Sequence, residues 1–226
     1  MSRLSGDAAL GLAGAAVALA LFLFYVPSGS AGPLPEPKID APLASQAGNQ
    51  TAVFAGGCFW GVEAVFEHLK GVSKAVSGYA GGHVAKPSYE QVSSGRTGHA
   101  ESVRVTYDPA RVSYGQLLKV FFAVAHDPTE LNRQGPDVGT QYRSAIFYTD
   151  DEQKRIAEAY IAQLQAAHSF ARPIVTEVTR LKAFYQAEAY HQNYLEQHPN
   201  QPYIVFNDLP KLANLKREFP ALYVGN

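Results

Sequence analysis

Cysteine, methionine and tryptophan occur once each in the 226 residues, as Cys58, Met1 and Trp60. A single cysteine excludes an internal disulfide and a CxxC metal site, so its thiol is a buried filler, an intermolecular linker or a reactive nucleophile. An excess of charge is lacking too. The chain carries 19 Lys and Arg against 20 Asp and Glu, with no basic stripe, which excludes the electrostatic footprint of a nucleic-acid binder. The seven histidines show no paired helical spacing with carboxylates, so no metal site is expected. What the chain has is apolar mass: at 46% hydrophobic residues it can bury a core, and its length suits one domain plus an appendage.

Charge is absent from Ala8 to Val26, with Arg3 before the run and Pro27-Ser-Gly-Ser-Ala31 after it. The length suits a membrane span, whereas Gly29 and Ala31 resemble a signal-peptide cleavage site. Residues 1–26 are therefore expected to be a signal peptide or an N-terminal anchor, meeting the membrane through residues 8–26 if uncleaved. Arg3 on the short side places the rest outside the cytoplasm, as an exported protein that is periplasmic or membrane-anchored. Residues 27–50 are rich in Pro, Gly and Ala and read as an extended tether, which leaves residues 51–226 as the folded domain.

Within that domain, Thr51 to Ala55 is a β-branched and aromatic run ended by Gly56-Gly57, a strand pattern. Phe59, Val62, Phe66 and Leu69 then recur at helical spacing up to Lys70. A second strand runs into Tyr79, a polar loop covers His83 to Ala100, and alternation at Val103, Val105 and Tyr107 marks a third strand. Ser113 and Gln116 form a capping-box pattern before a second helix, and "RSAIFYT" reads as a fourth strand. The order βαββαβ predicts an α+β fold of ferredoxin-like type, a two-layer sandwich with an antiparallel sheet and two helices on one face. A helix capped by Thr149 and Glu152, a strand over "PIVTEVTRL", and helical patterns near Gln186 to Glu196 and Leu209 to Phe219 add a C-terminal extension.

Cys58 sits at a strand-to-helix turn after two glycines, where unpaired N–H groups and the helix dipole favour a thiolate. Lone cysteines are most often buried and inert, but Gly57 and Gly61 admit close approach and contribute nothing to packing. Trp60 lies off the apolar stripe and would wall a pocket for a small uncharged group, while Phe59 at helical register reads equally as core. Lys86 to Ser102, His126 to Ser144 and Phe184 to Pro199 each hold tyrosine, histidine and carboxylate, the first two with glycines among them, in long connections, which suits proton transfer. A Cys-His hydrolase or acyltransferase using His126 and Asp127, or a tethered non-catalytic binding domain, are the alternative readings.

The segments "GCFWGVE", "SGYAGG", "TGHAE", "YDP", "HDPT", "RQGPDVGTQYRS" and "AEAYHQNY", in that order, make the chain from about Thr51 to Phe219 resemble the A-type peptide methionine sulfoxide reductases. The resemblance implies that Cys58 attacks the sulfoxide sulfur, that Phe59 and Trp60 hold the methyl group, and that Glu101 protonates the sulfoxide oxygen. It further implies that Tyr89 and Tyr142 hydrogen-bond that oxygen, that Asp137 helps bind the backbone or amine side of the substrate, and that the S epimer is the one reduced. No bound cofactor is implied, and a monomer is expected. Many relatives carry resolving cysteines, often one where this chain has Ser93, and here there is none. The sulfenic acid left on Cys58 is therefore expected to need an external thiol, either small or on a thioredoxin- or glutaredoxin-like protein.

Overall fold

The computed structural model describes residues 33–225, so the expected signal peptide or anchor lies outside the described residues. Elements follow in chain order as β1 (Gln50–Gly56), α1 (Phe59–Glu67), β2 (Val72–Ala80), α2 (Tyr89–Ser93), β3 (Ala100–Tyr107), α3 (Tyr114–Val120), β4 (Arg133–Gln134), β5 (Asp137–Val138), β6 (Ser144–Tyr148), α4 (Asp151–Ala166), β7 (Glu177–Arg180), β8 (Phe184–Gln186), α5 (Tyr194–Gln197) and α6 (Leu209–Glu218). Wider π-helical turns extend α3 through Ala125 and lead into α6 from Ile204.

The order across the main sheet is β7-β6-β1-β3-β2-β8, and the fold is α+β. β3 lies antiparallel between β1 and β2, so β1-α1-β2 is a crossover with a strand inserted between its two strands. The sheet is mixed rather than wholly antiparallel, because β7 runs parallel to β6. Alternation divides β1 between two faces. Ala52 and Phe54 join Val103 and Val105 under α1, α3 and α4 in the main core, while Val53 and Ala55 join Ala145 and Phe147 in a smaller cluster. Burial of the aromatic stack Phe66–Phe54–Phe121, with ring centroids 5.2 and 5.0 Å apart, fixes α1 and α3 against β1.

Several expected elements are corrected. The helix expected to reach Lys70 ends at Glu67, with His68 as its C-cap. The loop after β2 contains α2, whose start is a complete capping box of Ser88 and Gln91. Asp150, rather than Thr149, caps α4, since its carboxylate accepts the Gln153 N–H at 2.9 Å. The helix expected near Gln186 to Glu196 is broken up: β8 pairs with β2, a single tight turn follows at Ala189–His191, and Asn193 takes a left-handed conformation before α5. Residues 33–49 are extended, as a tether would be, but they are docked on the domain. Leu34 is buried, the Tyr160 hydroxyl donates to the Pro35 carbonyl at 2.9 Å, and Asp40 accepts from Ser113 and Gly115 at the start of α3.

Candidate active site

Cys58 is the N-cap of α1, reached from β1 through Gly56 and Gly57. Gly57 has φ +88°, and a β-carbon there would come within 2.5 Å of the Gln134 side chain, so both the turn and the close approach require glycine. Gly61 serves a different contact, since its β-carbon would meet a carboxylate oxygen of Asp208. The thiol is buried, at 7% exposure, and burial pushes its pKa well up, helped by the carboxylates of Glu101 and Asp208. The Trp60 N–H at the helix start and the Lys211 ammonium pull the other way and are outweighed. The dipole argument thus names a real influence but the wrong net effect: the resting group is a thiol, not an activated thiolate.

Glu101 comes from β3 and is also buried. Its carboxylate accepts the Phe59 N–H at 3.1 Å, the residue next to the thiol, and burial raises its pKa to about 8, opposed by that hydrogen bond and aided by Asp137 and Asp208. The carboxyl is therefore protonated near neutral pH. Tyr89 from α2 and Tyr142 from the turn before β6 are half-buried, which raises both phenol pKa values, and Glu101 and Cys58, once ionised at high pH, raise them further. The chain thus brings together from four places a thiol, a protonated acid and two phenols.

Phe59 lies within the main core, its ring 5.9 Å from Tyr79, whereas Trp60 is only partly buried. Trp60 stacks on Tyr194 at 3.8 Å, meets Tyr203 edge-on, and donates its indole N–H to His191 Nδ1 at 3.1 Å. Asp137 is half-buried on β5 and accepts the Tyr203 hydroxyl hydrogen bond. His191 and Tyr194 fall within Phe184 to Pro199, which the sequence marks as a site-like segment without assigning either a role. Tyr203, Asp208 and Lys211 carry no such local signal, because their approach to Cys58 is made only by the folding of the C-terminal extension.

His126 and Asp127 do not form a hydrolase pair with Cys58. The Nδ1 of His126 faces the Phe121 carbonyl at 3.1 Å, its Nε2 faces Ser144 Oγ at 2.7 Å, and burial lowers its pKa to about 4. Both ring nitrogens are taken, and Asp127 is held by Thr129 and Arg172.

The arrangement has known counterparts. A family model described as peptide methionine sulfoxide reductase matches residues 50–222. The chain belongs to the peptide methionine sulfoxide reductase family. It is similar to peptide methionine sulfoxide reductase MsrA 2 of Mesorhizobium japonicum, 64% identical over 176 residues covering 78% of this chain and 90% of that protein. It is 52% identical over 188 residues to MsrA 2 of Synechocystis, covering 82% of this chain and 88% of that protein. Among solved structures, methionine sulfoxide reductase A of Corynebacterium diphtheriae superposes with a TM-score of 0.60 at 39% identity, covering 77% and 88% of the two chains. Reduced Mxr1 from Saccharomyces cerevisiae gives 0.64 at 33% identity, covering 73% and 92%. The reductase is accordingly an oxidoreductase that acts on peptide methionine sulfoxide, and the hydrolase and non-catalytic readings are set aside.

Proposed function

We propose that the reductase acts on the S epimer of methionine sulfoxide, with Cys58 as nucleophile and Glu101 as general acid. The observation that carries this reading is the Glu101 carboxyl, with a pKa raised to about 8, hydrogen-bonded to the residue that follows the thiol. A sulfoxide oxygen leaves poorly until protonated, and an acid that keeps its proton near neutral pH supplies what the step needs. As the Cys58 sulfur bonds to the sulfoxide sulfur, Glu101 gives its proton to the oxygen, with Tyr89 and Tyr142 as further donors. The oxygen ends on Cys58, the S–O bond of the substrate is broken, and the products are methionine and a Cys58 sulfenic acid. The proton lost by the thiol restores Glu101, so protons and electrons balance.

Trp60, with its face on Tyr194 and its N–H on His191, is a rigid apolar wall suited to the substrate methyl group. Phe59 supports that wall from the core side, and the Asp137–Tyr203 pair is the polar group placed to receive the substrate amide or amine. Reduction of the sulfenic acid falls to an external thiol, because the chain has no second cysteine. The ferredoxin-like description applies to the central strands β6-β1-β3-β2, whose order and antiparallel pairings support it. Export, or anchoring outside the cytoplasm, rests on the uncharged run from Ala8 to Val26.

Single turnover without reductant tests the chemistry. The wild type yields one equivalent of methionine from the S-sulfoxide and a dimedone-reactive Cys58, and Cys58→Ser yields neither. Methionine release by the serine variant at the wild-type rate removes Cys58 from the mechanism.

A further inference from the structure

Cys58 lies at the base of a groove of about 370 Å³, bounded by the π-turn after α3 (Val124, His126), the β4–β5 turn (Pro136) and the C-terminal segment (Tyr203, Phe206, Lys211). None of Glu101, Tyr89, Tyr142 or Trp60 lines it, so the groove meets the thiol away from the proposed acid, while Tyr203, which pairs with Asp137 and meets Trp60 edge-on, is the wall shared by the groove and the substrate side. Phe206 stands at the groove with 77% exposure, an unusual position for a phenylalanine. The Asn214 side chain, also in the lining, makes no hydrogen bond among the described residues. Lys211 faces the groove, whereas its ion-pair partner Asp208, 3.1 Å away, is fully buried and does not.

We infer that this groove is the entry and binding site for a low-molecular-weight thiol that reduces the Cys58 sulfenic acid. The inference rests on the reductase mechanism proposed above. Displacement at a sulfenyl sulfur is a thiolate attack in line with the leaving group. The leaving hydroxyl lies where the sulfoxide oxygen was protonated, on the Glu101 side, so the attacking sulfur must arrive from a side that Glu101 does not occupy. The groove reaches Cys58 without being lined by Glu101 and so meets that requirement. Its volume is at the small end for ligand sites, and the burial of Cys58 at its base suits a small flexible thiol better than one fixed on a folded protein surface. Phe206, Pro136 and Val124 cover an apolar stem, and the Lys211 ammonium attracts a thiolate. The step balances: a new S–S bond forms between the thiol and Cys58, the Cys58 S–O bond breaks, and the hydroxyl takes the Glu101 proton and leaves as water. A second equivalent of thiol then attacks the mixed disulfide, freeing Cys58 and giving the oxidised disulfide of the small thiol.

The test separates the two half-reactions in the full chain. Cys58 is converted to the sulfenic acid in a single turnover with N-acetylmethionine S-sulfoxide, glutathione is added, and mass spectrometry follows the mixed disulfide. Asn214→Trp fills the groove and slows mixed-disulfide formation about ten- to a hundredfold, the range for a displaced attacking atom, with the methionine burst unchanged. Phe206→Ala, at an exposed site where the fold is indifferent, raises the half-saturating glutathione concentration several-fold, again with the burst unchanged. Mixed-disulfide formation at wild-type rates in both variants overturns the proposal. So does a parallel fall of burst and reduction, which would give the groove to the sulfoxide. A wild-type sulfenic acid that reacts with a thioredoxin-type dithiol protein but not with glutathione also overturns it. Absence of a methionine burst in the wild type is a different failure: it removes the Cys58 chemistry itself and the groove proposal with it.

Discussion

Glu101 illustrates how much a single side chain owes to its surroundings. As sequence it is one carboxylate at the end of "TGHAE", indistinguishable from a solvated strand end; in the fold it is a buried acid with a pKa raised to about 8. The catalytic form is the protonated one, so single-turnover methionine formation is expected to fall as pH rises through about 8, and a stopped-flow pH profile measures this. Glu101→Gln keeps the shape and removes the proton donor, and is expected to slow the step by about 10²- to 10⁴-fold, the usual contribution of a general acid. An unchanged rate assigns the proton to Tyr89 or Tyr142 instead. His191 acts through another residue: it accepts the Trp60 N–H at 3.1 Å and its ring lies 4.4 Å from Tyr89. It is a positioning residue. His191→Phe is expected to raise KM for the sulfoxide with a smaller change in kcat, and His191→Gln, which can accept the same hydrogen bond, to restore part of the loss. A fall in kcat alone, with no rescue by glutamine, contradicts this role.

Elements were legible where their periodicity was long and their ends were chemically marked. β1, β3, α1 and α3 combine alternating or helical apolar spacing with glycine stops and the Ser113–Gln116 capping box, so each forms where its pattern lies, within a few residues at the ends. The stretch Gln186 to Glu196 failed as a helix because pairing of β8 with β2 captures its start and the left-handed Asn193 interrupts the rest. The segment at residues 33–49 was invisible as a structural part for another reason: its contacts are two apolar side chains, Leu34 and Ala41, and a few polar groups that read as linker composition. Its anchoring nevertheless has a measurable value. Asp40 caps the start of α3 through Ser113 and Gly115, and Asp40→Ala is expected to cost about 1 kcal/mol, as for loss of a helix cap, in a urea titration of the full chain. No change in the urea midpoint shows that the segment is merely laid on the surface.

Over the whole molecule, buried titratable groups set an unusual pH dependence. Glu63 accepts from the backbone of Ser77 and Asn193 and so ties α1 to β2 and to the C-terminal extension, and burial raises its pKa to about 7. Glu101 rises to about 8. Both hold their protons in the fold at pH values where the unfolded chain has released them, so each loses stability as pH rises from about 4.5, by up to ~1.4 kcal/mol per pH unit, until its folded pKa is passed. His126, lowered to about 4, works in the opposite sense: its contribution is complete above about 6.5 and is lost as pH falls toward 4. Partial burial raises Glu67 to about 8 as well, so three carboxyls outweigh one imidazole between pH 5 and 6.5, and above that the imidazole is silent. Tm is therefore expected to fall by several degrees from pH 5 to pH 8, and Glu101→Gln to flatten the slope. A Tm that rises over that interval excludes protonated buried carboxyls.

By itself the sequence determined the α+β class, the strand–turn–helix that presents Cys58, and the absence of any second thiol, because local periodicity, glycine conformational freedom and residue identity are properties of short stretches. Its family motifs pointed to Cys58, Glu101, Tyr89, Tyr142 and Asp137, and the donor role they imply for Glu101 already asks for an acid protonated near neutral pH. Only the tertiary structure decided that the thiol is protonated at rest, that burial is what holds the proton on Glu101, that His126 is spent on Ser144, and that the C-terminal extension lays Tyr203, Phe206 and Lys211 beside Cys58. Charge states and grooves depend on desolvation and on groups far apart in the chain, and neither quantity exists until the chain has closed around the sulfur.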